Sequence, residues 1–312
     1  MNSDLVIAID LGKTNCRTDL VAHGVTQQQH RSAGLAGAAN PDGIEAVTQA
    51  ILEALSTFPV EFVAKSTIGV GAAGMFTAPH AAQEVSRRIS KHLGVGVAVT
   101  SDILTAHVGA LDGRPGTALV AGTGAVALAV AANGQYKRSD GWGPYVGDLG
   151  SGGWIGKQAL RAVLKELEGR EVRTSLTDRV QADSIFGKDP VYSINSSPNP
   201  AGLAASLTPI VMQEAQRGDD IAYQICAQAV QQLVATAQSA AQISRQKTVA
   251  CLGGLVSNEW FATKLTDVLT RLNFEVVQPT NDALTGARFI AENRDLPHER
   301  LIYRTSPNSE SI

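Results

Sequence analysis

Apolar residues follow two spacings along the first third of the chain. The run LVIAIDL at residues 5–11 is short and rich in β-branched residues, which is typical of a buried strand. The stretch IEAVTQAILEAL at 44–55 repeats its apolar positions with the period of a helix, and VGVAVTSD at 95–102 returns to a strand pattern. Strands that alternate with helices in this way predict a sheet with crossover helices.

The rest of the chain opens with a second strand, glycine turn and strand, TALVAGTGAVALAV at 117–130. This repeats the order at the start of the chain and indicates a weak internal duplication. Helical spacing prevails from about 160 to 245, but residues 189–202 are rich in Asp, Ser, Asn and Pro, which predicts a loop. The segment KTVACLGGLVSN at 247–258 predicts another strand followed by a glycine turn.

Length and composition favour a two-lobed globular protein that acts on a small molecule. The 312 residues exceed the size at which one hydrophobic core usually stops growing. A net charge of -3 provides no basic surface for nucleic acid or an anionic membrane. The start MNSDLVIAID lacks the basic and long apolar segments of a signal peptide, so we expect a cytoplasmic location.

The cysteines argue against a metal cluster. Cys16, Cys226 and Cys251 form no CxxC pair, which is typical of reduced thiols. They are too few for a zinc site or an iron–sulfur cluster that one chain would hold alone.

The triplet Gly12-Lys13-Thr14 looks like the end of a P-loop but lacks the glycine that the motif requires five positions earlier, where Ile7 stands. The segment 151–158 fails the same test, and its Lys157 is expected to be a surface helix residue. The dinucleotide-like glycine strings at 69–74 and 122–127 do not open directly into a helix, which argues against a Rossmann site. Taken alone, each of these strings is best explained as a tight turn.

Together the glycine turns have a further meaning, because strand, turn and strand occur at both 5–20 and 117–130. Such hairpins offer backbone N–H groups, with the hydroxyls of Thr14 and Thr123, to phosphate oxygens. Two of them that face each other would hold a triphosphate from both sides, as in the actin-like, hexokinase-like and Hsp70-like ATPases.

Several segments, in order over nearly the whole chain, resemble motifs of the BadF/BadG/BcrA/BcrD ATPase family. They are IDLGKTNCR, GVGAAG, SDILTAHVGAL, VAGTGAVAL, GWGPYVGDLGSGGWIGKQAL and CLGGLVSN. The family includes N-acetylglucosamine kinase, glucosamine kinase and the activators of two acyl-CoA enzymes. The activators hold a [4Fe-4S] cluster through paired cysteines in a dimer interface, and this chain has no such cysteine segment.

The resemblance implies an α/β fold of two actin-like ATPase (ribonuclease H-like) lobes with a cleft between them. The N-terminal lobe would span residues 1–115 and be completed by a C-terminal helix at about 290–312. The second lobe would span 116–289, with a helical insertion at about 160–245.

The implied activity is that of an ATP-dependent amino-sugar kinase, which transfers the γ-phosphate of ATP to the 6-OH of N-acetylglucosamine or glucosamine. ATP and Mg2+ are the implied cofactors, and a homodimer is expected. The alternative is an ATPase activator or a sugar sensor of the same fold without kinase turnover.

Two aspartates carry the implied chemistry, and each has a purely structural alternative. Asp102 follows a strand and matches the catalytic position, where it would take the proton of the sugar hydroxyl. Ser101 or Asp102 could instead only cap the next helix. Asp10 would hold Mg2+ through water, or it could simply initiate a turn.

The glycine turns and their neighbours are assigned to ATP and its phosphates, with Lys13 either neutralising phosphate charge or pointing to solvent. The assigned residues are Gly12, Lys13, Thr14, Asn15, Gly122, Thr123, Gly124, Gly253 and Gly254.

The sugar contacts implied by the resemblance come from Asp102, Thr123, Gly141, Trp142 and Asp148. Asp148 could instead cap the helix that begins near Gly152, and Trp142 and Trp154 could serve the core. Many relatives carry Glu where Leu149 stands, and some carry Asn at the position of Val126. These departures leave the choice between glucosamine and N-acetylglucosamine open.

Overall fold

The computed structural model describes residues 5–35, 37–186, 189–243 and 247–306. The strands, in chain order, are β1 (Leu5–Leu11), β2 (Asn15–Ala22), β3 (Val25–Ala33), β4 (Thr67–Ala72), β5 (Val97–Ser101), β6 (Gly116–Ala121), β7 (Ala125–Val130), β8 (Tyr136–Asp140), β9 (Thr248–Leu252), β10 (Glu275–Val277) and β11 (Tyr303–Thr305).

The α-helices, in chain order, are α1 (Gly43–Leu55), α2 (Val60–Val63), α3 (Pro79–Leu93), α4 (Asp102–Leu111), α5 (Gly152–Leu167), α6 (Ser175–Ala182), α7 (Pro190–Ser196), α8 (Pro200–Ala205), α9 (Thr208–Gln216), α10 (Asp220–Ala241), α11 (Glu259–Arg271) and α12 (Ala283–Glu292). Short 3-10 helices lie at Gly254–Ser257 and Glu299–Leu301. No helix within the described ranges is both long and apolar enough to span a bilayer.

The chain divides into two compact units. The first takes in Met1–Ala118, Val130–Tyr136 and Gln278–Ile312, and the second takes in Leu119–Ala129 and Lys137–Val277. Each unit therefore draws on separate stretches of the chain, which no local sequence pattern marks.

The first unit is built on a six-stranded sheet with the order β11-β5-β4-β1-β2-β3. β1, β4 and β5 run parallel, and their register aligns Leu11 with Ala72 and Ala72 with Ser101. The carboxyl ends of these strands therefore meet at one edge of the sheet. The turn after β1 and the residue that follows β5, Asp102, both leave the sheet at this edge, where ligands bind in open α/β sheets.

The second sheet has the order β10-β9-β6-β7-β8. Helices α5, α9, α10 and α11 contribute to one core with it, in which Leu119, Ile155, Phe186, Leu233 and Phe261 are buried. Their apolar faces explain the helical spacing in this part of the sequence.

Residues 189–202, predicted as a loop, instead form α7 and begin α8. The Asp189 side chain accepts the N–H of Tyr192, and the Asn199 side chain accepts the N–H of Gly202, so both residues cap helices. Proline follows each cap at the first helical position, where its missing N–H costs nothing. The prediction was wrong because Asp-Pro and Asn-Pro start short helices as well as turns.

The helix expected at about 290–312 was also wrong for much of that range. Helix α12 ends at Glu292, and Tyr303–Thr305 form the edge strand β11, which pairs antiparallel with β5. Residues 307–312 of this expectation lie outside the described residues.

Candidate active site

The turn between β1 and β2 is a tight hairpin with Lys13 and Thr14 at its tip. The N–H of Gly12 donates to the carbonyl of Asn15 at 2.9 Å, and the carbonyl of Thr14 accepts from the N–H of Gly34 at 3.0 Å. The side chains of Lys13, Thr14 and Asn15 are exposed. A Cβ on Gly34 would lie 2.3 Å from the carbonyl oxygen of Gly12, so this glycine, which the sequence reading missed, allows the close packing behind the hairpin.

Asp10, on β1, is part of an ion-pair network with two partners. Arg17 donates to the Asp10 carboxylate through Nη2 at 2.7 Å and Nε at 3.2 Å, and through Nη1 to Asp282 at 2.6 Å. Both of its bonds to Asp10 end on Oδ2. Burial raises the pKa of Asp10 even though the Arg17 guanidinium acts to lower it. The sequence left Arg17 without a role, because Asp282 lies far away along the chain.

The arrangement around Asp10 fits a magnesium ion that keeps most of its waters. No group of three His, Cys, Asp or Glu residues that could hold a metal occurs in the part of the chain that the structure describes. Mg2+ commonly takes only one or two carboxylates and completes its shell with water and substrate phosphates. The Oδ1 atom of Asp10, on which neither Arg17 bond ends, could serve such an ion.

Asp102 is the first residue of α4, and the capping role belongs to its neighbour. The hydroxyl of Ser101 accepts the N–H of Leu104 at 3.4 Å, as an N-cap residue does. The Asp102 carboxylate is half-buried and accepts the N–H of Ile103 through Oδ1 at 2.9 Å. Burial raises the pKa of Asp102, and nearby Asp10 also raises it while Lys13 lowers it. The structure thus brings Asp102, Asp10 and Lys13 into one electrostatic neighbourhood.

In the second unit, the turn at 122–124 is held by the start of α5. Gly152 donates its N–H to the carbonyl of Gly122 at 2.8 Å, and Gly153 donates to the carbonyl of Thr123 at 3.0 Å. Ser151 caps the helix by accepting the N–H of Trp154. These N–H groups therefore fix the turn, and Thr123 is left exposed at its tip.

Asp148 lies against this same turn. A Cβ on Gly124 would be 2.9 Å from Oδ2 of Asp148, so glycine is what allows the carboxylate to approach the turn. Asp148 has a φ of 54°, in the left-handed region. Because Ser151 is the N-cap of α5, the alternative capping role for Asp148 is not the one that the structure shows.

The residues around Asp148 form an exposed apolar loop, 141–149. Trp142 is 64% exposed and stacks on the guanidinium of Arg138 at 4.6 Å, whereas Trp154 packs against the core. Tyr145 and Val146 are also exposed. Gly141, with a φ of 76°, lies close to Val126, since a Cβ there would be 2.9 Å from Cγ2 of Val126.

The two glycines after β9 differ in their surroundings. Gly253 has a φ of 99°, and a Cβ there would lie 2.5 Å from the carbonyl oxygen of Ala121. A Cβ on Gly254 would meet nothing within 4 Å. Gly253 is thus required by the fold, whereas the space beside Gly254 is open to a ligand.

Comparison with known proteins identifies the family. The model of the BadF/BadG/BcrA/BcrD ATPase family matches residues 7–291, which is most of the chain. The chain belongs to this ATPase family. The family expected from the sequence motifs is therefore confirmed.

The ATPase is similar to curated sugar kinases over almost its whole length. It is 26% identical over 320 residues to the N-acetyl-D-glucosamine kinase of Dictyostelium discoideum, covering 94% of this chain and 99% of the relative. It is 26% identical over 302 residues to the N-acetylmuramic acid/N-acetylglucosamine kinase of Clostridium acetobutylicum, covering 92% of this chain and 98% of that protein.

A crystal structure of a Chromobacterium violaceum protein, proposed to be an N-acetylglucosamine kinase, has a TM-score of 0.74 to the ATPase at 26% identity. The match covers 94% of this chain and 100% of the other. The mixed α/β fold with two sheets, of the actin-like ATPase class, is thereby confirmed.

Asp140 and Lys157 of the ATPase hold the 141–149 loop in place, and neither role was predicted from the sequence. The Asp140 carboxylate accepts N–H bonds from the backbone of the loop, and Lys157 donates through Nζ to the carbonyl of Pro144. Lys157 is therefore an anchor for the loop and not simply a surface residue. Burial lowers the pKa of Lys157, and Asp148 acts to raise it.

Proposed function

We propose that this ATPase is an ATP-dependent kinase that transfers the γ-phosphate of ATP to the 6-OH of N-acetylglucosamine, with Asp102 as the base. The proposal rests on the different roles of Ser101 and Asp102 at the start of α4. Ser101 caps the helix, so Asp102 is not needed as the N-cap, and its half-buried carboxylate stands at the sheet edge where ligands bind.

Asp102 would act by accepting a hydrogen bond from the sugar hydroxyl and taking its proton as phosphoryl transfer proceeds. Burial raises the pKa of Asp102, which makes the carboxylate a stronger base. The N–H of Ile103 holds Oδ1, so the orientation of the carboxylate is fixed before a sugar arrives. Correct positioning and charge neutralisation account for most of the catalysis in phosphoryl transfer.

The phosphates of ATP would be bound by the exposed groups of the glycine turns. In the first unit these are the side chains of Lys13, Thr14 and Asn15, with Gly12 behind them. In the second unit they belong to the turn at 122–124, and adenosine would lie beside Gly253 and Gly254. Asp10 would hold Mg2+ through water, and the ion would neutralise charge on the phosphates.

The 141–149 loop supports an N-acetylated sugar over a free amine. Asp148 would accept hydrogen bonds from sugar hydroxyls, next to exposed apolar side chains that include Trp142 and Leu149. Gly141 would let the backbone of the loop approach the sugar, and Thr123 would contact it from the glycine turn. A protonated amine gains from a second carboxylate, whereas an acetamido methyl group gains from apolar surface. Two relatives that are 26% identical are kinases for N-acetylated sugars, which agrees with this choice.

The proposal is tested by measuring ADP release from purified protein with Mg-ATP and a panel of N-acetylglucosamine, glucosamine, N-acetylmuramate and glucose. We expect N-acetylglucosamine to stimulate ADP release most, with phosphorus NMR placing the product phosphate on the 6-OH. An ATPase activator or sugar sensor would show no sugar-stimulated ADP release with any of them, and that result would reject the kinase. The homodimer and the cytoplasmic location stay predictions, the former to be checked by sedimentation.

A further inference from the structure

The carboxylate of Asp140 accepts backbone hydrogen bonds from both ends of the 141–149 loop. Oδ1 accepts the N–H of Gly141 and the N–H of Asp148, each at 2.7 Å. Oδ2 accepts the N–H of Leu149 at 2.8 Å. One side chain at the end of β8 thus closes the whole loop into a ring.

The surrounding backbone is adapted to this carboxylate. Asp140 itself has a φ of 60°, and a Cβ on Gly147 would lie 2.5 Å from Oδ1 of Asp140, so only glycine fits there. Arg138 fixes the same corner from the other side, since it donates through Nε to the carbonyl of Asp140 at 3.0 Å and through Nη2 to that of Gly141 at 2.6 Å. Backbone in the left-handed region is costly for an aspartate and persists only where its surroundings hold it.

The hydrogen bond from the backbone N–H of Asp148 to Asp140 holds the backbone of Asp148 in place. Asp148 also has a left-handed backbone, with a φ of 54°, and its own carboxylate is directed at Gly124. The backbone angles set the direction of the Cα–Cβ bond, from which the side chain extends. By holding this backbone, Asp140 sets the point from which the carboxylate of Asp148 reaches the 122–124 turn.

We propose that Asp140 is a positioning residue for sugar binding, which holds Asp148 in the conformation that meets the sugar hydroxyls. The assignment of Asp148 to the sugar rests on the proposed function, whereas the closure of the loop by Asp140 stands on the hydrogen bonds alone.

The role requires a carboxylate. An ionised carboxylate is purely an acceptor and can take all three N–H groups, whereas the amide of Asn has one acceptor oxygen and an NH2 that would face an N–H donor. Asp140→Asn therefore loses either the hydrogen bond from Leu149 or the two hydrogen bonds from Gly141 and Asp148. The sugar pocket loosens, while the phosphate turns keep their own hydrogen bonds.

The test compares Asp140→Asn with Asp183→Asn in the same unit. Asp183 is a matched control, because its carboxylate also accepts backbone N–H groups, from Ile185 and Phe186, and none of these residues belongs to the loop. Two readouts are measured for both variants: hydrogen exchange of the amides of residues 141–149, and the separate KM values for N-acetylglucosamine and ATP.

We expect Asp140→Asn to speed exchange across 141–149 and to raise the KM for the sugar about tenfold or more, with the KM for ATP nearly unchanged. Asp183→Asn should change neither readout. Unchanged exchange in Asp140→Asn would overturn the inference, and so would KM values for sugar and ATP that rise together. If the wild-type protein shows no sugar-stimulated turnover, the proposed function fails, and the exchange readout still decides whether Asp140 closes the loop.

Discussion

His298 donates a hydrogen bond from Nε2 to Nδ1 of His107 across 2.9 Å, and both rings are buried in the first unit. The direction of the bond follows from the other side of His107, whose Nε2 lies 3.0 Å from the carbonyl oxygen of Gly116. A carbonyl only accepts, so Nε2 of His107 carries its proton and Nδ1 is the acceptor. Among the described residues, Nδ1 of His298 then has no hydrogen-bond partner. The pair is therefore built to be neutral.

We expect the free energy of unfolding to fall as the pH drops below about 6.5, the ordinary pKa of histidine. Burial lowers the pKa of His107 to about 4 and that of His298 to about 3. Below about pH 6.5, unfolding therefore takes up protons on these histidines. The stability that they contribute is fully present above their pKa in the unfolded chain and is lost as the pH falls below it. Each histidine adds a slope of up to about 1.4 kcal/mol per pH unit. Urea unfolding between pH 5 and 8 measures this slope.

The variant His298→Gln provides the comparison for this pH dependence. Glutamine keeps an N–H for Nδ1 of His107 but does not titrate, so the variant should show a clearly shallower loss of stability between pH 6.5 and 5. Equal slopes for the variant and the wild type would show that the pair does not cause the pH dependence.

Gly253→Ala and Gly254→Ala should separate folding from nucleotide binding. The first places a Cβ against the carbonyl of Ala121 and has a positive φ, so we expect it to cost about 1–3 kcal/mol of stability. The second meets open space, so its stability should stay within about 0.5 kcal/mol of the wild type while the KM for ATP rises. Thermal unfolding and ATP kinetics check both variants. An unchanged KM for ATP in Gly254→Ala would remove adenosine from this position.

Gly122→Ala and Gly124→Ala should affect different substrates, although they lie two residues apart. A Cβ on Gly122 meets nothing within 4 Å, so the change takes away only space that a phosphate would use, and the KM for ATP should rise. A Cβ on Gly124 would push the carboxylate of Asp148, so the KM for the sugar should rise instead. Steady-state kinetics with each substrate varied in turn make the comparison. The same effect of both variants on both KM values would contradict the division of roles.

The ion pairs of Arg17 with Asp10 and Asp282 should contribute more to the free energy of unfolding than an ordinary surface ion pair does. Arg17→Met leaves the half-buried carboxylate of Asp10 without its guanidinium, and we expect a loss of about 1–2 kcal/mol, since Arg17 is itself about one-third exposed. Arg31→Met is the matched control, because Arg31 lies opposite Arg17 in the register of β2 and β3 and is exposed. Urea unfolding of both variants is the measurement. An equal, small effect would mean that the network contributes little.

The parts of the fold that depend on local pattern could be predicted from the sequence. The apolar run before Asp10 forms β1, the turn at Lys13 and Thr14 is the expected hairpin, and Ser101 caps the helix that the motif predicted. Both glycine turns form where the sequence predicted them, because glycine turns have a recognisable spacing. Their roles in ATP and sugar binding stay predictions.

The rest depends on contacts that the sequence does not display. Arg17 meets Asp282, and His107 meets His298, across most of the length of the chain. Asp140 is close to its partners in sequence, but its hydrogen bonds go to backbone N–H groups, which every residue has and no motif marks. Single-sequence patterns identify elements and turns, whereas these contacts require the folded chain.

Turnover by Asp102→Asn decides whether Asp102 is the base of a sugar kinase. The measurement is N-acetylglucosamine-stimulated ADP release by the wild type, by Asp102→Asn and by Asp267→Asn, an exposed aspartate on α11. We expect Asp102→Asn to lose about 100-fold or more in kcat while its thermal unfolding is nearly unchanged, and Asp267→Asn to match the wild type. Most of the turnover remaining in a folded Asp102→Asn variant would contradict the assignment.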